Sequence, residues 1–279
     1  MTIPILELTQ ICKDALDIAH RTIQGLGDRG TAEVRVINKR GYDISVKGDI
    51  RVSKEVTKFL RQKKFPAVLY TEEFGRIELV KNPLYTITFD DIDGTNNYHR
   101  SYHHGKSVLP YCSIITIFDS IKPRFENALV TAVMEHNTSW LWTAAKNHGT
   151  YFNGNKVITS RKTSFGKKRK TLVVIDHYMG AKDVPRFSKI YKRAWVKDFG
   201  TSALHLAMVS NGMLDAYISP DQKAHELGGG LLLITESGGS VTDFQGKPLD
   251  KIVYDFNKKY PIIAASTPKL GNALVHLIP

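Results

Sequence analysis

The stretch Phe89-Asp90-Asp91-Ile92-Asp93-Gly94-Thr95-Asn96-Asn97 puts three carboxylates within four residues and then turns at once on a Gly-Thr pair. Like charges packed this closely at the end of a strand repel one another unless a cation offsets them. A hard ion such as Mg²⁺, which prefers oxygen ligands, is the simplest remedy. Gly94 lets the backbone approach a ligand closely, and the Thr95 hydroxyl can hold a water or a phosphate oxygen. A solvent-exposed acidic turn has the same composition, so this segment alone leaves both readings open.

The elements that must position these acids narrow the choice. Residues 84–89 are β-branched and aromatic and read as a buried strand. Just upstream, Ala67-Val68-Leu69-Tyr70 reads as a short strand that delivers Thr71, Glu72 and Glu73 before the turn residue Gly75. Asp215-Ala216-Tyr217-Ile218 reads as a third strand, and Glu226 opens the apolar run 227–234. Acids brought together from separate elements are hard to reconcile with solvated surface.

Four segments carry a resemblance: TEEFG, DDIDGTNN, DFGTSALHLAMVSNGMLDAYI and KAHELGGGLLLITESGG, in that order, with the match running from about residue 43 to 265. They resemble the motifs of the inositol monophosphatase family of metal-dependent phosphatases, which includes archaeal enzymes acting on both inositol phosphate and fructose bisphosphate. The resemblance implies a mixed α+β fold, a layered αβαβα sandwich, with the active site between an N-terminal half, 1–160, and a C-terminal half, 171–279. Composition alone gives only mixed α and β. At the positions of the family's metal ligands stand Glu72, Asp90, the carbonyl of Ile92, Asp93 and Glu226. Two or three Mg²⁺ ions are implied there. Thr95, Asp49 and Glu73 match the catalytic positions, with Asp49 paired to Thr95 to orient an attacking water. The backbone N–H groups of Gly94 and Thr95 are expected to hold phosphate oxygens. Thr201 and Lys223 are candidate substrate contacts.

The chain departs from the family pattern in three places. His225-Glu226 stands where the family usually has Trp-Asp, which moves the third carboxylate one methylene further out. Asp91 replaces a proline, adding a negative charge and freeing φ. Ser219 occupies a position where inositol-specific members carry an acid that grips ring hydroxyls.

With 279 residues, 42% hydrophobic and 24% charged, the chain has ample material for a core. The formal net charge of +12 favours anionic partners at long range, phosphorylated metabolites and nucleic acid alike, although dispersed lysines are usually solvated surface. Cys12 and Cys112 have neither metal-ligand spacing nor the pattern of a disulfide framework, which fits a reducing cytoplasm. Residues 3–26 carry helical spacing without the features of a signal peptide, and no run is long enough to span a bilayer. Asp43 and Asp49 lie six apart ahead of a helical pattern through Val52, Val56, Phe59 and Leu60. Asp49 reads on its own as an N-cap or first-turn acid, and Lys39 could meet an anion nearby.

The segment 98–111 is basic and aromatic and looks longer than the family pattern. It is expected to form a wall of the cleft that contacts a second anionic group, or else a mobile surface loop. Residues 112–145 read as an antiparallel meander with Trp140 and Trp142 on one core-facing side, followed by a turn at 149–154. The basic run 160–170 reads as an interdomain linker or an exposed basic loop. Gly200 feeds a helix start at Thr201-Ser202, which suits an anion or a plain N-cap equally. A last strand at 260–265 precedes a C-terminal helix.

The expected function is Mg²⁺-dependent hydrolysis of a small phosphorylated metabolite, a sugar bisphosphate such as fructose 1,6-bisphosphate or an inositol monophosphate, by direct attack of a metal-activated water. A 3'(2'),5'-bisphosphate nucleotidase is the alternative. A catalytically impaired member that binds RNA or protein is the alternative of another class. The family resemblance implies a homodimer.

Overall fold

The computed structural model describes residues 3–34, 44–165, 170–176 and 184–279; Lys39, Asp43 and residues 166–169 of the basic run lie outside the described residues. Five layers follow from where the apolar stripes point. Helix Ile5–Leu26 buries Leu8, Ile11, Cys12, Ala15, Leu16, Ala19 and Ile23, a single face at three- and four-residue spacing. Helix Lys47–Gln62 does the same with Val52, Val56 and Leu60. Together these two helices cover one face of an eight-stranded sheet, packing on Leu69, Ile87, Phe89, Ile115 and Ile117.

In this sheet Ala67–Thr71 and Tyr85–Asp93 are parallel neighbours, and Gly75–Glu78 pairs antiparallel along the outer side of Ala67–Thr71. The expected meander follows as Cys112–Phe118, Ala128–Glu135, Trp140–Ala145, Gly149–Phe152 and Asn155–Val157, all antiparallel. The expected turn at 149–154 is corrected: residues 149–152 are strand, and the chain reverses at Asn153-Gly154, both at positive φ. Trp142 is core, whereas Trp140 at the strand start is 39% exposed.

The helices Ser202–Ser210 and Ala224–Glu236 lie between this sheet and a second one of five strands, ordered Ala194–Lys197, Thr171–Ile175, Ala216–Lys223, Lys259–Ala265, Ser240–Thr242. Alternation along Thr171–Ile175 decides the faces: Val174 packs inward with Leu206 and Leu231, while Val173 and Ile175 pack outward with Leu270 and Leu274 of helix Pro268–Val275. The layers therefore run helix, sheet, helix, sheet, helix, as expected. No helix among the described residues is long and apolar enough to cross a membrane.

The central helix carries Gly228, Gly229 and Gly230 in its interior, where each costs about 1 kcal/mol relative to alanine. Close packing is the reason. A Cβ on Gly229 would overlap the hydroxyls of Thr116 and Thr131 and stand 2.9 Å from Ile114 Cδ1, and one on Gly230 would stand 2.9 Å from Leu206 Cβ. The glycines thus let the helix that carries Glu226 sit directly on the sheet that carries Asp90.

Gly25 in the first helix has open space around its would-be Cβ. Gly25→Ala should therefore stabilise the protein by roughly 0.5–1 kcal/mol, whereas Gly229→Ala should destabilise it by about 1–3 kcal/mol through overpacking. Thermal melts of the two variants should move in opposite directions from the parent.

Candidate active site

The two parallel strands Ala67–Thr71 and Tyr85–Asp93 end at the same edge, so Glu72 and the acids of residues 90–93 arrive side by side. Pairing of Tyr85–Asp93 with Cys112–Phe118 shifts register between Asp90 and Asp93, which places both of these acids on the cleft. From the other half, the strand Ala216–Lys223 runs straight into helix Ala224–Glu236, and Glu226 lies in that helix's first turn, where the helix dipole favours a negative charge. Asp90, Asp93 and Glu226 are all buried, and each offers an oxygen within 4.8 Å of the other two. Glu72, Asp90 and His225 form a second such group. The cleft encloses about 870 Å³ including its open mouth.

Burial and the charge of Asp90 push the Asp93 carboxyl up to about 7, against the hydrogen bonds it accepts from Thr201 and the Ala203 N–H. Burial, then Asp93 and Asp90, hold Glu226 well above the ordinary carboxylate range, with Lys223 opposing. Asp90 Oδ1 has no hydrogen-bond partner among the described residues. Buried, mutually repelling carboxylates with an orphaned oxygen are a donor set that fits a hard divalent cation. The Ile92 carbonyl, also on the cleft, accepts from Thr95 Oγ1 at 2.8 Å.

Thr95 opens a short helix, Thr95–Ser101, after Gly94 at φ 89°. That turn needs glycine for two reasons: its φ lies in the left-handed region, and a Cβ there would stand 3.2 Å from Thr201 Cβ. Thr95 Oγ1 lies 3.5 Å from Asp49 Oδ1, while the other Asp49 oxygen accepts the Val46 N–H at 2.7 Å, which is the first-turn role read from the sequence. Glu73 accepts from Ser45 Oγ at 3.0 Å on the same side.

Thr201 and Lys223 both line the cleft, and each meets a carboxylate there. Thr201 donates its hydroxyl to Asp93 Oδ2 at 2.6 Å, and the Ala203 N–H donates to the same oxygen at 2.7 Å. The helix start that could have taken a substrate anion is therefore capped by a carboxylate from the opposite half. Lys223 Nζ sits 2.9 Å from Glu72 Oε1, where it offsets the charge of a site acid. The segment 98–107 does not line the cleft, because Tyr98 and Tyr102 turn inward and stack with Tyr111 in the core beneath the first two helices.

Asp91 points away from the cleft, into the same layer as Asp49 and Glu73. Burial and then the charges of Asp90, Asp49 and Glu73 push its pKa well above the usual range. Sequence reasoning passed over Asp176 and Gln222. Asp176 accepts from Tyr217 Oη at 3.0 Å and from Ser219 Oγ at 2.8 Å, and Gln222 donates to Glu226 Oε2. The strand-then-acid signal that found Glu72 also marks Asp176, the first polar residue after Thr171–Ile175. Cys112 touches Asp93 and Thr201, and burial keeps its thiol well above the usual value, which leaves it no nucleophile.

A sequence profile of the inositol monophosphatase family matches residues 7–278. The bifunctional NADP phosphatase/NAD kinase of Methanococcus maripaludis is 27% identical over 210 residues, 72% of this chain but only 37% of that protein's length. Inositol monophosphatase 2 of Mus musculus is 29% identical over 254 residues, 85% of this chain and 80% of that one. Among solved structures, an inositol monophosphatase–fructose 1,6-bisphosphatase superposes with a TM-score of 0.77 at 21% identity, covering 96% of this chain and 98% of its own, a likeness of fold.

Asp93 and Glu226 give the metal-free protein a definite pH dependence. Between the unfolded carboxyl value near 4 and the raised folded values, the native state binds more protons than the unfolded one, so stability falls as pH rises through that window. The Tm of metal-free protein should drop from about pH 4 towards about pH 7, less steeply in Glu226→Gln. Adding Mg²⁺ should raise Tm more at pH 8 than at pH 5 and should do little for the variant.

Proposed function

The chain belongs to the inositol monophosphatase family, whose members are metal-dependent phosphatases, and from that premise we propose that it hydrolyses a small phosphate monoester using Mg²⁺ held by Asp90, Asp93 and Glu226. The observation that carries the reading is the convergence of these three buried acids from a strand end and a helix start in different layers. Glu72 and the Ile92 carbonyl complete the ligand set for two or three ions. Bound there, divalent cations supply charge compensation for the phosphate and lower the pKa of water.

The chain's own residues do the remainder. Thr95 and Asp49 orient the attacking water: as the Thr95 hydroxyl takes the water's proton it passes its own to the Asp49 carboxylate, which the Val46 N–H holds in place. Glu73, tied by Ser45, adds negative charge beside them. The Gly94 and Thr95 N–H groups receive phosphate oxygens. Thr201 and the Ala203 N–H keep Asp93 in place, so Thr201 acts through the carboxylate. Phosphoryl transfer needs positioning and charge compensation more than covalent chemistry, which agrees with a site lacking an activated thiol.

For the substrate, Ser219 is buried and donates to Asp176, which leaves no acid at that position to grip an inositol ring. Lys259 lines the cleft beside Lys223. Both features favour a substrate with a second anionic group, and we place a sugar bisphosphate such as fructose 1,6-bisphosphate first. The Methanococcus relative adds the 2'-phosphate of NADP to the candidates.

Phosphate release should be measured with fructose 1,6-bisphosphate, inositol 1-phosphate, NADP and adenosine 3',5'-bisphosphate, with and without divalent cation. Release from the sugar bisphosphate should dominate and vanish on chelation. Thr95→Ala should lower kcat by about 10²–10⁴-fold with KM nearly unchanged. Cation-independent release, or an unaffected Thr95→Ala, would refute the mechanism.

A further inference from the structure

His225 stands beside Glu226 at the start of the central helix and is 4% exposed, yet neither ring nitrogen has a hydrogen-bond partner among the described residues. A buried imidazole left so is expensive, and such a group calls for a ligand. Its Nε2 lies 3.5 Å from Asp90 Oδ2, 3.9 Å from Glu72 Oε2 and 3.9 Å from Glu226 Oε1. Donor atoms about 2.1 Å from a common ion in tetrahedral array are separated by roughly 3.4 Å. The observed 3.5–3.9 Å spacings are close to this value, compatible with side chains converging on one ion, and longer than a direct hydrogen bond between imidazole and carboxylate.

The ring is also fixed in position. It packs on Phe256 with centroids 5.1 Å apart, and Phe256 in turn packs on Tyr70. The residue's own carbonyl accepts from Thr88 Oγ1 at 3.4 Å. Glu72 has its two oxygens differently engaged: Oε1 meets Lys223 at 2.9 Å, and Oε2 is the oxygen nearer the imidazole. The lysine removes one unit of the negative charge on which a hard cation relies, while an imidazole nitrogen suits borderline metals.

We propose that His225 is a metal ligand of this chain, and that with Glu72 and Asp90 it builds a mixed nitrogen–oxygen site selecting a borderline transition cation such as Mn²⁺, Co²⁺ or Zn²⁺ over Mg²⁺. The inference rests on the reading of the cleft as a phosphatase metal centre and refines it: the Asp90, Asp93, Glu226 group offers oxygen only and keeps the hard cation, so the two groups differ in the metal they take.

The test uses Mn²⁺ and Mg²⁺ alone, without substrate, on the full chain. Pulsed EPR of Mn²⁺-loaded protein should show ¹⁴N coupling from a bound imidazole, converted to ¹⁵N coupling when histidine is ¹⁵N-labelled; this readout needs no variant. Calorimetry should show the preference for Mn²⁺ over Mg²⁺ falling by about 10–100-fold in His225→Phe, which keeps a ring against Phe256 and removes the donor. Mn²⁺ binding without nitrogen coupling, or an unchanged preference in His225→Phe, would overturn the proposal and leave the phosphatase reading standing. Binding of neither cation would overturn both.

Discussion

Mutual repulsion among Asp90, Asp93 and Glu226 is the constraint around which the molecule is built. All three are buried, Asp90 raises the cost of ionising Asp93, and both raise that of Glu226; among the described residues Lys223, which meets Glu72 at their border, is the cation that opposes this. Folding alone gains nothing from such a cluster, since burying like charges opposes it. A divalent cation reverses the sign, because the same carboxylates then become its ligands. The arrangement is thus one that a bound divalent cation would stabilise.

The scaffold can be understood as what holds these acids in place against their repulsion. Parallel pairing of Ala67–Thr71 with Tyr85–Asp93 brings two strand ends to one edge. Gly228 and Gly229 let the helix bearing Glu226 approach the sheet closely enough to meet them, and Gly230 lets it close on helix Ser202–Ser210, at a cost in helix propensity. Asp93 then caps helix Ser202–Ser210 through the Ala203 N–H and Thr201, so one carboxylate both faces the cleft and ties the two halves together. Asn97 adds a second tie, donating to the carbonyls of Pro110 and Phe199. Positioning of the site and cohesion of the layers are therefore carried by the same hydrogen bonds.

Much of this was legible in the sequence because it depends on local patterns. Apolar strands ending in acids located Glu72, Asp90 and Asp93, and the apolar run after Glu226 marked its helix. What escaped depends on which way side chains turn in three dimensions. Segment 98–107 looked like a cleft wall from its charge, but its tyrosines have more apolar surface to bury than its cations have reason to face the cleft. Thr201 and Lys223 could be placed on the cleft from sequence, but not their contacts with the carboxylates of Asp93 and Glu72. Asp91 could be placed on the strand but not on a face, because the register shift between Asp90 and Asp93 is invisible in sequence. His225 registered only as a departure from a pattern; its isolation from hydrogen-bond partners is a property of the packed structure.

The account's centre is an ion among those acids. Crystals soaked in Mn²⁺ and measured at the manganese absorption edge address it directly. An anomalous peak within bonding distance of Asp90, Asp93 and Glu226 oxygens is the predicted result. A cleft without anomalous signal, with the three carboxylates protonated and hydrogen-bonded to one another, would contradict it.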